Sequence, residues 1–103
     1  MRVVVVGGDR LGQIPARLAD CGFKEVVHVT GRKVRDISRQ IPMETCLIVV
    51  LTDYVNHALA EKVREEAKKR CIPVVFARRA WSAIHFQLRR LGLEEVRTCV
   101  AVQ

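Results

Sequence analysis

A short polar segment follows the most apolar part of the chain and has the residue types for ligand binding. Residues 46–51 form an unbroken apolar run rich in β-branched side chains, which is typical of a strand buried on both faces of a parallel sheet. Thr52, Asp53 and His57 follow this run directly. Open α/β sheets bind ligands at the carboxyl ends of their strands, so we interpret Asp53 and His57 as candidate binding residues. Asp53 is also suited to cap a helix, which we predict over residues 54–70.

A glycine-rich turn ends the first apolar run, residues 2–7. Gly7 and Gly8 are followed by Gly12, and glycines allow backbone N–H groups to approach an anion. The pattern is not that of a full dinucleotide site, because Asp9 stands in place of the second glycine. No acidic residue ends the second predicted strand to hold a ribose. A tight turn and the edge of an anion or mononucleotide site both remain open.

Basic residues follow several of the predicted strands. Since these strands end at one edge of the sheet, their arginines and lysines would converge on one rim, which suits phosphate or carboxylate groups. Scattered solubilising charge is the alternative interpretation. Ser82 is either the polar residue that starts the last helix or another donor to the same rim. The basic residues concerned are Arg10, Arg32, Lys33, Arg78 and Arg79.

Composition predicts one basic domain over residues 1–103. The net charge is +7 and the sequence pI is about 9.8, which favours anionic partners such as nucleotides, nucleic acid or acidic lipid. The four cysteines lack C-x-x-C spacing, so we expect reduced thiols rather than a disulfide framework or zinc site. We find no signal peptide and no apolar run of membrane-spanning length, and therefore expect a cytoplasmic protein with no membrane partner.

Five predicted strands alternate with four predicted helices. The strands are expected near residues 2–7, 25–30, 46–51, 73–77 and 96–102. Right-handed crossovers would then give an α/β fold, a three-layer α/β/α sandwich with a parallel five-stranded sheet. We predict the flavodoxin-like, Rossmann-like order 2-1-3-4-5. The loop at residues 7–12 would face Thr52 and Asp53 across a crevice at the switch point between the first and third strands.

Several motifs together resemble one bacterial family. They are V-V-G-G-x-R at residues 5–10, T-D-x-V-x-H at residues 52–57, a basic helix ending before Pro73, and R-x-x-S at residues 79–82. Over residues 3–88 the chain resembles domain of unknown function family 2325, which consists of small Rossmann-like domains. The resemblance implies no reaction. It implies that the characteristic polar positions are Gly7, Gly8, Arg10, Asp53, His57, Arg79 and Ser82.

The leading functional interpretation is a non-enzymatic ligand-binding or sensing domain. Arg10, Arg32, Arg79 and the Gly7–Gly8 turn would hold a small anionic ligand that Asp53 and His57 orient. The ligand would be a nucleotide or haem, and His28, His57 or a cysteine would ligate the iron of a haem. His57 lies off the apolar stripe of its predicted helix, so it would reach either the crevice or a second subunit of a homo-oligomer.

Two other classes of function stay open. The basic charge also fits a nucleic-acid-associated module, although no recognisable nucleic-acid motif is present and aromatic residues are few. A small enzyme is the third interpretation, with Asp53 and His57 as an acid/base pair one helical turn apart. No nucleophile elbow, metal cluster or cofactor fingerprint accompanies that pair.

Overall fold

A parallel sheet of four strands forms the centre of the described structure. A computed structural model describes residues 1–30 and 36–93. The strands are β1 (Arg2–Val6), β2 (Glu25–Val29), β3 (Thr45–Leu51) and β4 (Val74–Ala77). Their order in the sheet is β2-β1-β3-β4, and every pairing is parallel. This confirms the predicted α/β class and the order 2-1-3-4, while the predicted fifth strand at residues 96–102 lies outside the described residues.

Helices cover both faces of this sheet. They are α1 (Ile14–Asp20), α2 (Ile37–Gln40), α3 (His57–Lys69) and α4 (Trp81–Arg90). Buried side chains of α1 and α4 join one hydrophobic cluster, and those of α2 and α3 join another on the opposite face. The described elements therefore form three layers, with the sheet in the middle. None of the described helices is long and apolar enough to cross a membrane.

Burial on both faces explains why the strand sequences are so uniformly apolar. In β1, Val3 and Val5 belong to the cluster under α1 and α4, whereas Val4 and Val6 belong to the cluster under α2 and α3. All four side chains are fully buried. Burying one such side chain stabilises a fold by roughly 1.5–3 kcal/mol, so neither face tolerates a polar residue at these positions.

The switch point of the sheet lies between β1 and β3. The chain leaves β1 for β2 on one side and later crosses to β3 on the other. The connections that follow β1 and β3 therefore diverge to opposite faces of the sheet, and the space between them is where open α/β sheets bind ligands.

The predicted helix over residues 54–70 is confirmed from His57 to Lys69, but its predicted start at Tyr54 and its cap at Asp53 are wrong. A single 3-10 turn at Thr52–Tyr54 follows β3, and α3 begins only at His57. The N-cap of α3 is Asn56, whose side-chain oxygen accepts a 2.7 Å hydrogen bond from the backbone N–H of Leu59. Asn is as good an N-cap as Asp, so the helix starts where Asn56 can satisfy its first turn. Asp53 is left to make a different contact.

Arg70 ties the end of α3 to α2. Its guanidinium donates to the carboxylate of Glu66 at 2.8 Å, to the carbonyl of Ile41 at 2.8 Å and to the carbonyl of Ser38 at 2.6 Å. The arginine and glutamate side chains are only 24% and 13% exposed. These bonds hold the short helix α2, which has four residues, against the longest helix of the described chain.

Candidate functional site

Three connections meet at the carboxyl edge of the sheet. They are the loop at residues 7–13 after β1, the 3-10 turn after β3, and the loop at residues 78–80 after β4. We call the residues that meet there the carboxyl-edge cluster. It comprises Gly7, Gly8, Arg10, Asp53, Tyr54 and Arg79, five of which were predicted as site residues from the sequence.

Arg79 connects all three segments. Its backbone N–H donates a 2.9 Å hydrogen bond to the Asp53 carboxylate, and its side-chain Nε donates to the backbone carbonyl of Arg10. A terminal guanidinium nitrogen also lies 3.7 Å from where a Cβ on Gly12 would be. Among the described residues, Nε is the only guanidinium nitrogen of Arg79 with a hydrogen bond. Arg79 is thus fixed in position with further donors left for a ligand.

The glycines of the first loop have backbone conformations and surroundings that exclude larger residues. Gly7 has a φ of +110°, and a Cβ there would lie 3.0 Å from Val55 Cγ1 and 3.2 Å from the carbonyl oxygen of Leu51. Gly8 has a φ of +78° and is buried. Glycine is needed at Gly7 because the loop passes close to the end of β3. The pair does not precede a helix directly, since α1 begins at Ile14.

Tyr54 is a member of the cluster that the sequence interpretation missed. A Cβ on Gly8 would lie 3.8 Å from its ring, so the ring covers the glycine turn. The side chain nevertheless remains 51% exposed. An exposed aromatic ring offers a surface on which a planar ring can stack. The available signal was an aromatic residue directly after Asp53, which the sequence interpretation assigned to the start of a helix.

The first turn of α4 adds polar groups to the same edge. The N-cap is Ala80, so among the described residues no N-cap side chain accepts a hydrogen bond from the first backbone N–H groups of this ten-residue helix. Ser82 is exposed and is the second residue of the helix, so it is not the capping residue. Arg78 is exposed directly before this turn. The predicted contribution of Ser82 as a donor remains a prediction.

The two candidate histidines lie on opposite faces of the sheet. His28 alternates with Val27 and Val29, which pack under α2 and α3, so it faces the α1 side. Its Nε2 is 3.0 Å from the carbonyl oxygen of Gly7, and the ring is half-buried. His57 is exposed on α3, on the other face.

His57 lines a separate open groove of about 400 Å³ between α3 and β4. In this groove the guanidinium of Arg64 lies 4.8 Å from the ring centre of Phe76. The Asp53 carboxylate, by contrast, accepts a hydrogen bond from Arg79 in the loop before α4. The two residues therefore do not lie one turn apart on a single helix, as the enzyme interpretation assumed, because the 3-10 turn and the Asn56 cap intervene.

The remaining candidate residues are Arg32, His85 and the cysteines. Arg32 lies outside the described residues. His85 stacks on Trp81 with 5.4 Å between the ring centres. Cys46 and Cys71 are free thiols. Over residues 1–30 and 36–93, no group of three or more His, Cys, Asp or Glu side chains is arranged to hold a metal ion.

Comparison with known proteins gives a family without an assigned activity. The family model described as "Uncharacterized protein conserved in bacteria (DUF2325)" matches residues 2–91. Comparisons with curated proteins and with solved structures gave no match. The family match includes every residue of the carboxyl-edge cluster, together with His57 and Ser82.

Proposed function

The chain belongs to the bacterial family DUF2325, and we propose that it binds a small anionic ligand, a nucleotide, at the carboxyl-edge cluster. The observation that carries this proposal is the fixed position of Arg79. One guanidinium nitrogen and the backbone N–H hold the residue between Asp53 and Arg10. A cation fixed in this way loses little freedom when it binds a phosphate, which favours affinity.

The surrounding residues supply the other parts of a nucleotide site. Arg10 is exposed, and its own backbone carbonyl accepts the hydrogen bond from Arg79. Two arginines therefore lie near the carboxyl edge of the sheet. Ser82 and the first-turn N–H groups of α4 add uncharged donors for phosphate oxygens. Tyr54 offers an exposed ring for the base. Asp53 acts by positioning Arg79, while the role of Arg32 stays a prediction from the sequence.

The geometry favours a nucleotide over haem. A haem iron would need an axial ligand, and of the two candidate histidines His28 already bonds the Gly7 carbonyl that shapes the glycine turn. His57 faces the groove with Phe76 on the other side of the sheet, away from Arg79. A haem held by His57 would therefore leave its propionates remote from the arginines that the sequence interpretation assigned to them.

Intrinsic fluorescence offers a direct test, because Trp81 is the single tryptophan of the chain and opens α4 beside the cluster. Protein stripped of nucleic acid with high salt is titrated with ATP, ADP, AMP and inorganic phosphate at fixed ionic strength. We expect saturable changes with the nucleotides and weaker binding of phosphate alone, because phosphate cannot stack on Tyr54. Before the titration, the ultraviolet and visible absorption spectrum of the gently purified protein is recorded.

Variants of Arg79 test the residue that carries the proposal. Arg79→Gln should weaken nucleotide binding at least tenfold, since a hydrogen bond to a charged group is worth about 1.5–3 kcal/mol. Arg79→Lys should also bind weakly, because an ammonium group cannot reproduce the guanidinium fork. Arg39→Gln is the matched control: this arginine is 86% exposed on α2, on the opposite face, and should leave binding unchanged.

Two results would contradict the proposal. One is an unchanged Trp81 signal and unchanged thermal stability up to millimolar nucleotide. The other is a Soret band in the spectrum of the purified protein, which would select haem and direct mutagenesis to His28 and His57. Turnover of the bound nucleotide that Asp53→Asn abolishes, with binding retained, would instead support the enzyme interpretation.

The fifth strand, the oligomeric state and the cellular location also remain proposals. The alternation of residues 96–102 supports a fifth strand beside β4, which is the edge strand of the described sheet and has partly exposed Val74 and Phe76 side chains. Removing residues 94–103 should then lower the midpoint of urea unfolding. Homo-oligomerisation and a cytoplasmic location are proposed from the sequence alone, and sedimentation equilibrium tests the first.

A further inference from the structure

The positive charge of the described chain is concentrated on one side of the sheet. We define the α1/α4 layer as residues 8–24 and 78–93, which contain seven basic and two acidic residues. Residues 36–44 and 52–73, which contain α2 and α3, have six basic and six acidic residues. The sheet strands contribute Arg2 and Glu25, which pair with each other. Among the described residues, one face is therefore strongly basic while the other is neutral.

Ion pairing reinforces this asymmetry. On the neutral face Glu61 pairs with Arg64, Glu66 with Arg70 and Asp36 with Arg39. No ion pair between two described residues includes an arginine of the α1/α4 layer. The helix α4 itself contains no acidic residue, and its last turn exposes Arg89 and Arg90. These charges are thus available to an external anionic partner.

An exposed aromatic ring lies among these charges. Phe86 is 61% exposed, whereas Ile84 and Leu88 of the same helix are fully buried. The core-facing stripe of α4 is therefore complete without Phe86. Residues one turn apart share a helix face, so Phe86 lies between Ser82 on one side and Arg89 and Arg90 on the other. Guanidinium groups beside an exposed ring are the combination that holds unpaired bases and their phosphates.

From this arrangement we infer that the outer face of α4 binds single-stranded nucleic acid. Phe86 would stack on a base, and Arg89, Arg90 and Arg17 of α1 would contact phosphates. A membrane surface fits less well, since the apolar stripe of α4 is used by the core and only Phe86 and Leu91 remain for insertion. This site is separate from the proposed nucleotide site and does not depend on it.

The test uses fluorescence anisotropy of a labelled twelve-nucleotide oligo(dT) or oligo(U) with the full chain. Arg89→Gln/Arg90→Gln should weaken binding at least tenfold. It should also reduce the slope of log K against log salt by about 1.4, at about 0.7 per lost phosphate contact. Phe86→Ala should weaken binding by about 5- to 100-fold, the loss that corresponds to one stacked base. Urea unfolding midpoints establish that each variant is folded.

Lys68→Gln/Lys69→Gln is a closely matched control. It also removes two exposed charges from the last turn of a helix, but from the neutral face. We expect less than a twofold effect on oligonucleotide binding. An equal loss in both double variants would overturn the proposal, because binding would then follow net charge alone.

Further results separate this site from other partners and from the nucleotide site. Saturating ATP and the Arg79→Gln variant should leave oligonucleotide affinity within about twofold, so either site can fail while the other stands. If the protein bound polyglutamate as tightly as the oligonucleotide, the inference would be overturned. Phe86-dependent binding to vesicles of phosphatidylserine, without binding to oligonucleotides, would assign the face to a membrane instead.

Discussion

Replacing Gly7 by alanine tests the packing that shapes the carboxyl edge. The backbone φ of +110° is unfavourable for a residue with a Cβ, which costs roughly 1–3 kcal/mol. The new methyl would lie 3.0 Å from Val55 Cγ1 and 3.2 Å from the Leu51 carbonyl oxygen, so crowding adds about 1–3 kcal/mol. We therefore expect Gly7→Ala to lower the free energy of unfolding by roughly 2–6 kcal/mol.

Two other glycines separate the backbone cost from the cost of crowding. Gly92 has a φ of +71°, and an added methyl would have no atom of the described residues within 4 Å, so Gly92→Ala measures mainly the backbone cost, about 1–2 kcal/mol. Gly8 has a φ of +78° and only ordinary contacts, the nearest at 3.7 Å. The expected order of destabilisation is Gly7→Ala above Gly8→Ala, and Gly8→Ala close to Gly92→Ala.

Urea unfolding followed by Trp81 fluorescence gives this order. With a slope of about 1–3 kcal/mol per molar urea, a loss of about 3 kcal/mol moves the midpoint down by roughly 1–3 M. The slope itself should not change. If Gly7→Ala proves no more destabilising than Gly92→Ala, the contacts with Val55 and Leu51 relax without cost, and close packing does not require a glycine at this position.

Three further changes have expected outcomes on stability. Asn56→Ala should cost about 1 kcal/mol in urea unfolding, because it removes the cap of α3, and it should leave nucleotide affinity unchanged. Arg70→Gln should cost about 2–3 kcal/mol in thermal unfolding, since it leaves the half-buried Glu66 carboxylate unpaired, whereas Arg39→Gln should cost under about 0.5 kcal/mol. Asp36→Asn should be pH-dependent: a hydrogen bond from the Ser38 hydroxyl is the main cause that lowers the pKa of Asp36 below its ordinary 3.8. The ionised carboxylate therefore stabilises the fold at pH values above 3.8, and this stabilisation is lost as the pH falls through the lowered pKa. The difference in the free energy of unfolding between wild type and Asp36→Asn should be present at pH 7 and disappear when urea unfolding is measured at strongly acidic pH.

The four described strands and their order were predictable because the signal is local and repeated. The runs around Val3 to Val6 and residues 46–51 are apolar on both faces, which only a covered parallel sheet requires. Short connections with right-handed crossovers then leave few orders to consider. The start of α3 was not predictable in the same way. Asp53 and Asn56 are both good caps, and the sequence does not say which one finds another partner.

The composition of the candidate site was only partly predictable, for a different physical reason. The bond between the Asp53 carboxylate and the Arg79 backbone N–H joins residues 26 positions apart. Its formation depends on how the loops after β3 and β4 approach each other, which no local pattern encodes. The same approach brings Tyr54 over Gly8 and leaves His57 on the other face. The sequence thus predicted which loop residues lie at the carboxyl edge. Which of them contact one another could be learned only from the tertiary structure.

The direction of α4 determines how the two proposed sites relate to each other. The helix begins at the carboxyl edge with Trp81 and ends nine residues later at Arg90, so its two ends are about 14 Å apart. That distance exceeds the screening length of about 8 Å at physiological salt, so exposed charges at one end have little effect on the other. A nucleotide at Arg79 and an oligonucleotide at Arg89 and Arg90 should therefore bind independently, with a coupling factor close to one in both directions. Marked competition between them would mean that a single site binds both ligands, and the carboxyl edge, where the fixed guanidinium lies, would then be the better location for it.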